Sequence, residues 1–216
     1  MTKGEEFKYQ EVSKAINRIG LYSPTEEPEL KFVYRKAYEF TSKYPKANIC
    51  EYGTLNGATA IAIGMGIEHA KQVMKARGEV RNGKLVSVDN YMAFYKKSNP
   101  DIVDINKVQE FINSCNIENS VELIEMDDLE HISTLEDRSI NMAWIDSLHI
   151  YDHVMKTLDL ILPKMAQDSL LCGHDYEPAC LGVLYAVEDF KRQYPEYYCG
   201  FGVHYKNWWC IIRNPV

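Results

Sequence analysis

Five acids stand at or just past the ends of short apolar runs: Glu51, Asp89, Asp127, Asp146 and Asp175. One acid in such a place is an ordinary turn residue. Five on successive runs imply a rim of carboxylates able to hold hydroxyls, a cation or a proton in transit. Two histidines, His149 and His174, fall beside the last two acids. An imidazole titrates near neutrality and can take a proton from a hydroxyl. His69, His131, His153 and His204 have no such placement at the end of a run and read as structural or exposed.

The stretch Asn48-Ile49-Cys50-Glu51-Tyr52-Gly53-Thr54-Leu55-Asn56-Gly57-Ala58 supplies a second chemical signal. It reads as a buried strand, a turn with Gly53 and Gly57, and the start of a helix. Such a unit makes a site for a nucleotide-like ligand at the helix N-terminus. Its spacing, Glu-x-Gly-x-x-x-Gly, is not the dinucleotide fingerprint G-x-G-x-x-G. A carboxylate at the end of the first strand disfavours a pyrophosphate and suits a cation or a hydroxyl-rich ligand. The stretch resembles motif I of the class I S-adenosylmethionine-dependent methyltransferases. That resemblance implies a donor held by Glu51, Gly53, Thr54 and Gly57. Asp89 stands after the second strand, where an acid takes ribose hydroxyls in Rossmann-like folds. Asn90 and Tyr91 would flank the ribose and adenine. Asp127 or Asp128 would accept from the adenine amine, and Asp146 would face the donor.

A longer stretch runs from Trp144-Ile145-Asp146-Ser147-Leu148-His149-Ile150-Tyr151 through Val154, and on to Gly173-His174-Asp175-Tyr176. It resembles the pattern I-D-x-x-H-x-Y-x-x-V with a following G-x-H-D-Y in bacterial small-molecule O-methyltransferases. These are related to catechol and macrolide sugar O-methyltransferases. The resemblance covers about Asn48 to Ile212 and implies an oxygen of a small molecule as methyl acceptor. In the metal-dependent relatives an acid after strand four and another after strand five bind magnesium; Asp146 and Asp175 match them. The chain departs at the next residue, where Tyr176 replaces an Asn or acidic ligand, with Glu177 as a substitute of unknown direction. In a metal-free alternative, Asp146 and Asp175 orient His149 and His174 by hydrogen bonds. The catalytic set is therefore Asp146, His149 and His174. His149 is favoured as the base, because a helix starting near Tyr151 would keep its ring neutral. His174 directly precedes Asp175, and neighbouring side chains in an extended segment diverge.

The elements that must carry these residues alternate. Strands are expected at 47–50, 84–88, 121–125, 140–145 and 169–172. Helices are expected at about 58–77, 104–115, 151–165 and 183–194. Two strands close the chain at about 199–213, with a turn near Lys206-Asn207. Short apolar strands alternating with amphipathic helices indicate a parallel sheet covered on both faces. Two adjacent terminal strands cannot both be parallel. The fold expected is α/β, a Rossmann-like methyltransferase fold: a mostly parallel seven-stranded sheet, a terminal antiparallel strand and helices on both faces.

Residues 1–46 are expected to form an N-terminal helical extension to a methyltransferase domain at 47–216. Its first helix would carry Val12, Ala15, Ile16 and Ile19, and its second would run from about 29 to 44. These helices either cover a rim of the site, mediate a homodimer or pack on the sheet. The 216 residues, 46% hydrophobic, can bury a full core. A net charge of -7 with no basic block argues against nucleic acid. The chain has no apolar run of membrane-spanning length, and residues 1–8 do not read as a signal peptide. None of the six cysteines has C-x-x-C spacing, so they read as reduced thiols in the cytoplasm. An aromatic loop at 91–103 reads as a lid, a substrate wall or packing. The rival functions are a nicotinamide-dependent oxidoreductase, disfavoured by the glycine spacing and terminal strand pair, and a non-catalytic S-adenosylmethionine-binding protein.

Overall fold

The computed structural model describes residues 10, 12–17, 25–90 and 104–213. Ile19, Tyr91 and the aromatic loop at 91–103 lie outside the described residues. The element order is α1 (Glu27–Lys43), β1 (Asn48–Tyr52), α2 (Ala58–Ala76), β2 (Lys84–Asp89), α3 (Ile105–Ser114), β3 (Val121–Glu125) and α4 (Asp128–Thr134). It continues with β4 (Ile140–Ile145), α5 (Tyr151–Ile161), a 3-10 turn (Leu162–Lys164), β5 (Met165–Gly173), α6 (Leu181–Gln193), β6 (Tyr198–His204) and β7 (Asn207–Ile212). The strands form one sheet of order β3-β2-β1-β4-β5-β7-β6, mostly parallel and flanked by helices. β1 pairs with β4 and β4 with β5 in parallel, while β7 runs antiparallel to both β5 and β6. The expected fold class is observed, including the reversed strand near the C-terminal edge.

The chain divides into two compact units. One takes in Met1–Ala47, Thr54–Ser87 and Tyr91–Glu125. In it α1 and α2 pack closely: a Cβ on Gly66 would strike the Tyr34 carbonyl and stand 3.2 Å from Ala37 Cβ. Glu29 Oε2 accepts from the Glu26 backbone N–H at 2.7 Å, and Pro28 sits in the first turn, so α1 starts where its caps dictate. Gly57, at φ 83°, caps α2 in a left-handed conformation. Thr54 Oγ1 and Ser87 Oγ lie 2.6 Å apart.

The other unit takes in Asn48–Gly53, Val88–Asn90 and Met126–Val216. Its centre is β4, buried at every residue, with Trp144 and Trp208 among the largest buried side chains. The register aligns Tyr52 with Ile145 and Ile145 with Gly173, so β1, β4 and β5 end together.

Several elements differ from the sequence reading: β1 runs on to Tyr52, α5 ends at Ile161 rather than 165, and β5 and α4 depart further. β5 begins at Met165 rather than 169, because the register shifts between Ile140 and Met142 and Asp168 takes φ 56°, letting the strand absorb an irregularity. The short helix α4 was not anticipated. Its seven residues are too few to show periodicity, yet Asp127-x-x-Glu130 carries the capping signature, and Asp127 Oδ1 accepts from the Leu129 and Glu130 amides.

Candidate active site

The common end of β1, β4 and β5 gathers four of the expected site residues. Asp146 follows β4 directly, and Asp175 lies two residues past β5 at φ 56°. His149 Nε2 stands 3.0 Å from Asp175 Oδ2 and 3.5 Å from Asp146 Oδ1. His174 Nδ1 stands 3.3 Å from Asp175 Oδ1 and 3.7 Å from Asp146 Oδ1. Two carboxylates and two imidazoles thus interleave. His149 remains 43% exposed at its side chain, while His174 is 9% exposed. The expectation that His174 diverges from Asp175 is overturned: the left-handed backbone at Asp175 breaks the extended alternation and brings both side chains into one cluster.

The electrostatics follow from this packing. Burial raises the Asp146 carboxyl above its ordinary value, against the hydrogen bond of His149 and the charge of His174. Burial works in the same direction on Asp175, but the hydrogen bond and charge of His174, with the charge of His149, hold it low. Asp146, then Asp175, raises His149 above the ordinary histidine value in spite of partial burial and the nearby His174. The expectation that the N-terminus of α5 keeps this ring neutral is therefore corrected. A helix end acts as a partial charge within one turn, whereas two carboxylates within 3.5 Å act as whole ones.

The same cluster brings together side chains of the kinds that ligate cations. Ligand atoms of Asp146, His174 and Asp175 all lie within 4.8 Å of one another, and so do those of His149, Asp175 and Cys180. Glu177, the substitute expected from the sequence, does not join them, and neither does Tyr176. The Tyr176 hydroxyl donates to Glu188, and burial, with that acid, pushes its pKa up to about 12. Glu177 Oε1 pairs with Lys206 Nζ at 3.4 Å. Among the described residues, the side chain that joins Asp146 and Asp175 is His174, on the other side of Asp175. The sequence carried this signal in the adjacency of His174 to Asp175.

Gly53, at φ 101°, turns the chain at the end of β1, and its N–H donates to the Val88 carbonyl at 2.9 Å. A Cβ there would strike the Asp146 carbonyl and stand 3.0 Å from the Ser147 nitrogen. Glu51 differs from its expected place: it lies inside β1, fully buried, because the strand runs on to Tyr52. Asp89 is the last residue of β2; its carbonyl accepts from Met126 N–H at 3.1 Å, and Asn90 beyond it is exposed.

Asp128 is committed inward. Its Oδ2 accepts from Ser147 Oγ at 2.6 Å and lies 2.8 Å from His153 Nε2; its Oδ1 accepts from Leu129 N–H at 2.9 Å. Asp127, by contrast, is exposed and accepts from the Leu129 and Glu130 amides through Oδ1. His153 and Ser147 had no role in the sequence reading, because their partner Asp128 is distant in the chain.

All six cysteines are free thiols, and burial pushes Cys50 up to about 12. Among the described residues no helix is long and apolar enough to cross a membrane.

A parallel sheet with a reversed strand near its C-terminal edge, and acids where its central strands end, defines the methyltransferase class of α/β proteins. The family of methyltransferase domains matches residues 50–176, more than half of the chain, and the chain belongs to it. No curated protein matches it in sequence. Among solved structures it is similar to a putative O-methyltransferase from Klebsiella pneumoniae, with 15% identity over 95% of this chain and 90% of that one and a TM-score of 0.62. It is similar to the O-methyltransferase from Bacillus cereus in complex with SAH, with 14% identity, 95% and 90% coverage and a TM-score of 0.61. The O-methyltransferase NovP superposes with a TM-score of 0.68 at 15% identity, covering 87% of this chain and 80% of that one.

Proposed function

We propose that this methyltransferase moves the methyl group of S-adenosylmethionine to a hydroxyl oxygen of a small molecule. The observation that carries the reading is the cluster of Asp146, His149, His174 and Asp175 beside the Gly53 turn. In this reading Glu51, Gly53, Asp89, Asn90 and Asp127 serve the donor, with Thr54 and Gly57 of the same motif. His149, exposed on one side and held by two acids on the other, accepts the proton of the acceptor hydroxyl. The oxygen then attacks the methyl carbon in line, the carbon–sulfur bond breaks, and its electron pair leaves on a neutral thioether. The protein contributes alignment and exclusion of water. The O-methyltransferases among the similar structures support an oxygen acceptor.

Asp146 and Asp175 offer the hard oxygens that magnesium takes, and His174 Nδ1 adds a donor that other divalent ions accept. A bound divalent ion would lower the pKa of a coordinated hydroxyl. Neither the acidic chain nor its helices favour a nucleic acid or a membrane, and the free thiols suit the cytoplasm. Residues 1–46 precede the family match and act as an extension, with a homodimer as one role.

Calorimetry tests the donor. S-adenosylmethionine and its demethylated product should both give heat, and NAD none. Tight NAD binding with no heat from S-adenosylmethionine would reject the assignment in favour of a nicotinamide enzyme.

A further inference from the structure

Ser147, Asp128 and His153 come from three elements and meet at one carboxylate oxygen. Asp128 opens α4, Ser147 lies in the loop after β4, and His153 sits in the first turn of α5. The Asp128 side chain is 8% exposed and that of His153 is 17%. A carboxylate this buried persists only where hydrogen bonds replace its water. Here they come from His153, Ser147 and the Leu129 N–H.

The cluster resembles a nucleophile–base–acid triad in composition but not in geometry. Both Ser147 Oγ and His153 Nε2 approach Asp128 Oδ2, while Ser147 Oγ and His153 Nε2 stand 3.5 Å apart. The acid is the hub, so the serine is held rather than activated.

What it holds follows from its neighbours. Ser147 comes one residue after Asp146, and the backbone of these two residues is the surface against which Gly53 turns. Asp128 comes one residue after Asp127 at the start of α4. Fixing Ser147 fixes the floor of the Gly53 turn, and fixing Asp128 fixes the α4 N-terminus that carries Asp127.

We propose that His153 and Ser147 are positioning residues for the methyl donor, acting through Asp128 to hold the Gly53 turn and Asp127 in binding register. This rests on the donor reading above. The experiment is calorimetric titration of the demethylated donor, S-adenosylhomocysteine, into the full-length wild type, His153→Ala, His153→Gln and Ser147→Ala. His153→Ala should weaken binding about tenfold, the order expected from losing one hydrogen bond to a charged group. His153→Gln, whose amide can donate to Asp128, should recover most of that loss. Ser147→Ala removes a single hydroxyl from a half-buried position, so it stays informative if His153→Ala fails to fold, and it should also weaken binding severalfold. Wild-type affinity in Ser147→Ala and His153→Ala would overturn the proposal, as would a His153→Gln that binds no better than His153→Ala. No heat from the wild type itself would overturn the donor reading and this proposal together.

Discussion

His149 is subject to two pulls of opposite sign. Asp146 and Asp175 favour its cation, and partial burial and the nearby His174 disfavour it; the carboxylates win. In the proposed mechanism this ring accepts the acceptor's proton, so the carboxylates that raise it also stabilise the imidazolium formed. With an identified acceptor, His149→Ala should lower turnover by about a hundredfold or more while donor affinity stays nearly intact. If His174→Ala is dead and His149→Ala near normal, the two roles are reversed. The Asp128–His153 pair makes a separate prediction about pH. Asp128 raises the pKa of His153 above 6.5; burial works to raise that of Asp128, but His153 and Ser147 hold it below 3.8. The histidine's contribution to stability is complete below its unfolded value and disappears as pH rises through its raised folded value. The aspartate's is complete above its unfolded value and disappears as pH falls through its lowered folded value. The pair should therefore stabilise the fold most between these unfolded values, by about 1–2 kcal/mol. The Tm difference between wild type and His153→Ala should shrink when thermal melts are repeated at alkaline pH. A difference that does not change with pH would refute a charged pair.

Among the elements, the capped and periodic ones were legible and the irregular ones were not. Helix α3 could be read from Val108, Phe111 and Ile112, all of which are buried. The first residues of β5 escaped because Gln167 and Asp168 look like a turn, and Asp168 does take a left-handed conformation while the strand continues past it. Glu51 was read as following its strand because a charged residue rarely lies in a strand buried throughout its second half. The packing of α1 on α2 was invisible in sequence, since Gly66 looks like a weak point in a helix. Its function is contact: the Tyr34 carbonyl occupies the space of its missing Cβ. Gly66→Leu should cost about 1–3 kcal/mol by separating the helices, and urea unfolding would measure it. An unchanged midpoint would show that the two helices are free to move apart.

For the molecule as a whole, the order of the strands decides which acids can cooperate. The sequence places an acid at or just past the end of each of five apolar runs, and only the resemblance implies that strand four lies beside strands one and five. β4 lies between β1 and β5, so Asp146 meets both the Gly53 turn and Asp175, while Asp89 ends β2 at a different position in the sheet. Only this adjacency brings the two carboxylates together, and it also explains why the histidines are drawn in: two acids at one sheet end need compensating charge. A divalent ion would supply that compensation in their place. Anything that binds the native state alone raises Tm, by about 2.7 kcal/mol of stability at a hundredfold excess over its Kd. Magnesium or manganese, added to protein stripped with a chelator, should thus raise the Tm of the wild type by several degrees. The rise should be absent in Asp146→Asn and Asp175→Asn, each of which keeps the shape of the site and removes a charge. It should be larger with manganese than with magnesium if His174 Nδ1 is a ligand, because an imidazole suits the transition ion better, and His174→Ala should abolish that preference. Equal melting temperatures with and without either ion would leave the hydrogen-bonded arrangement of His149 and His174 between two carboxylates as the working form of the site.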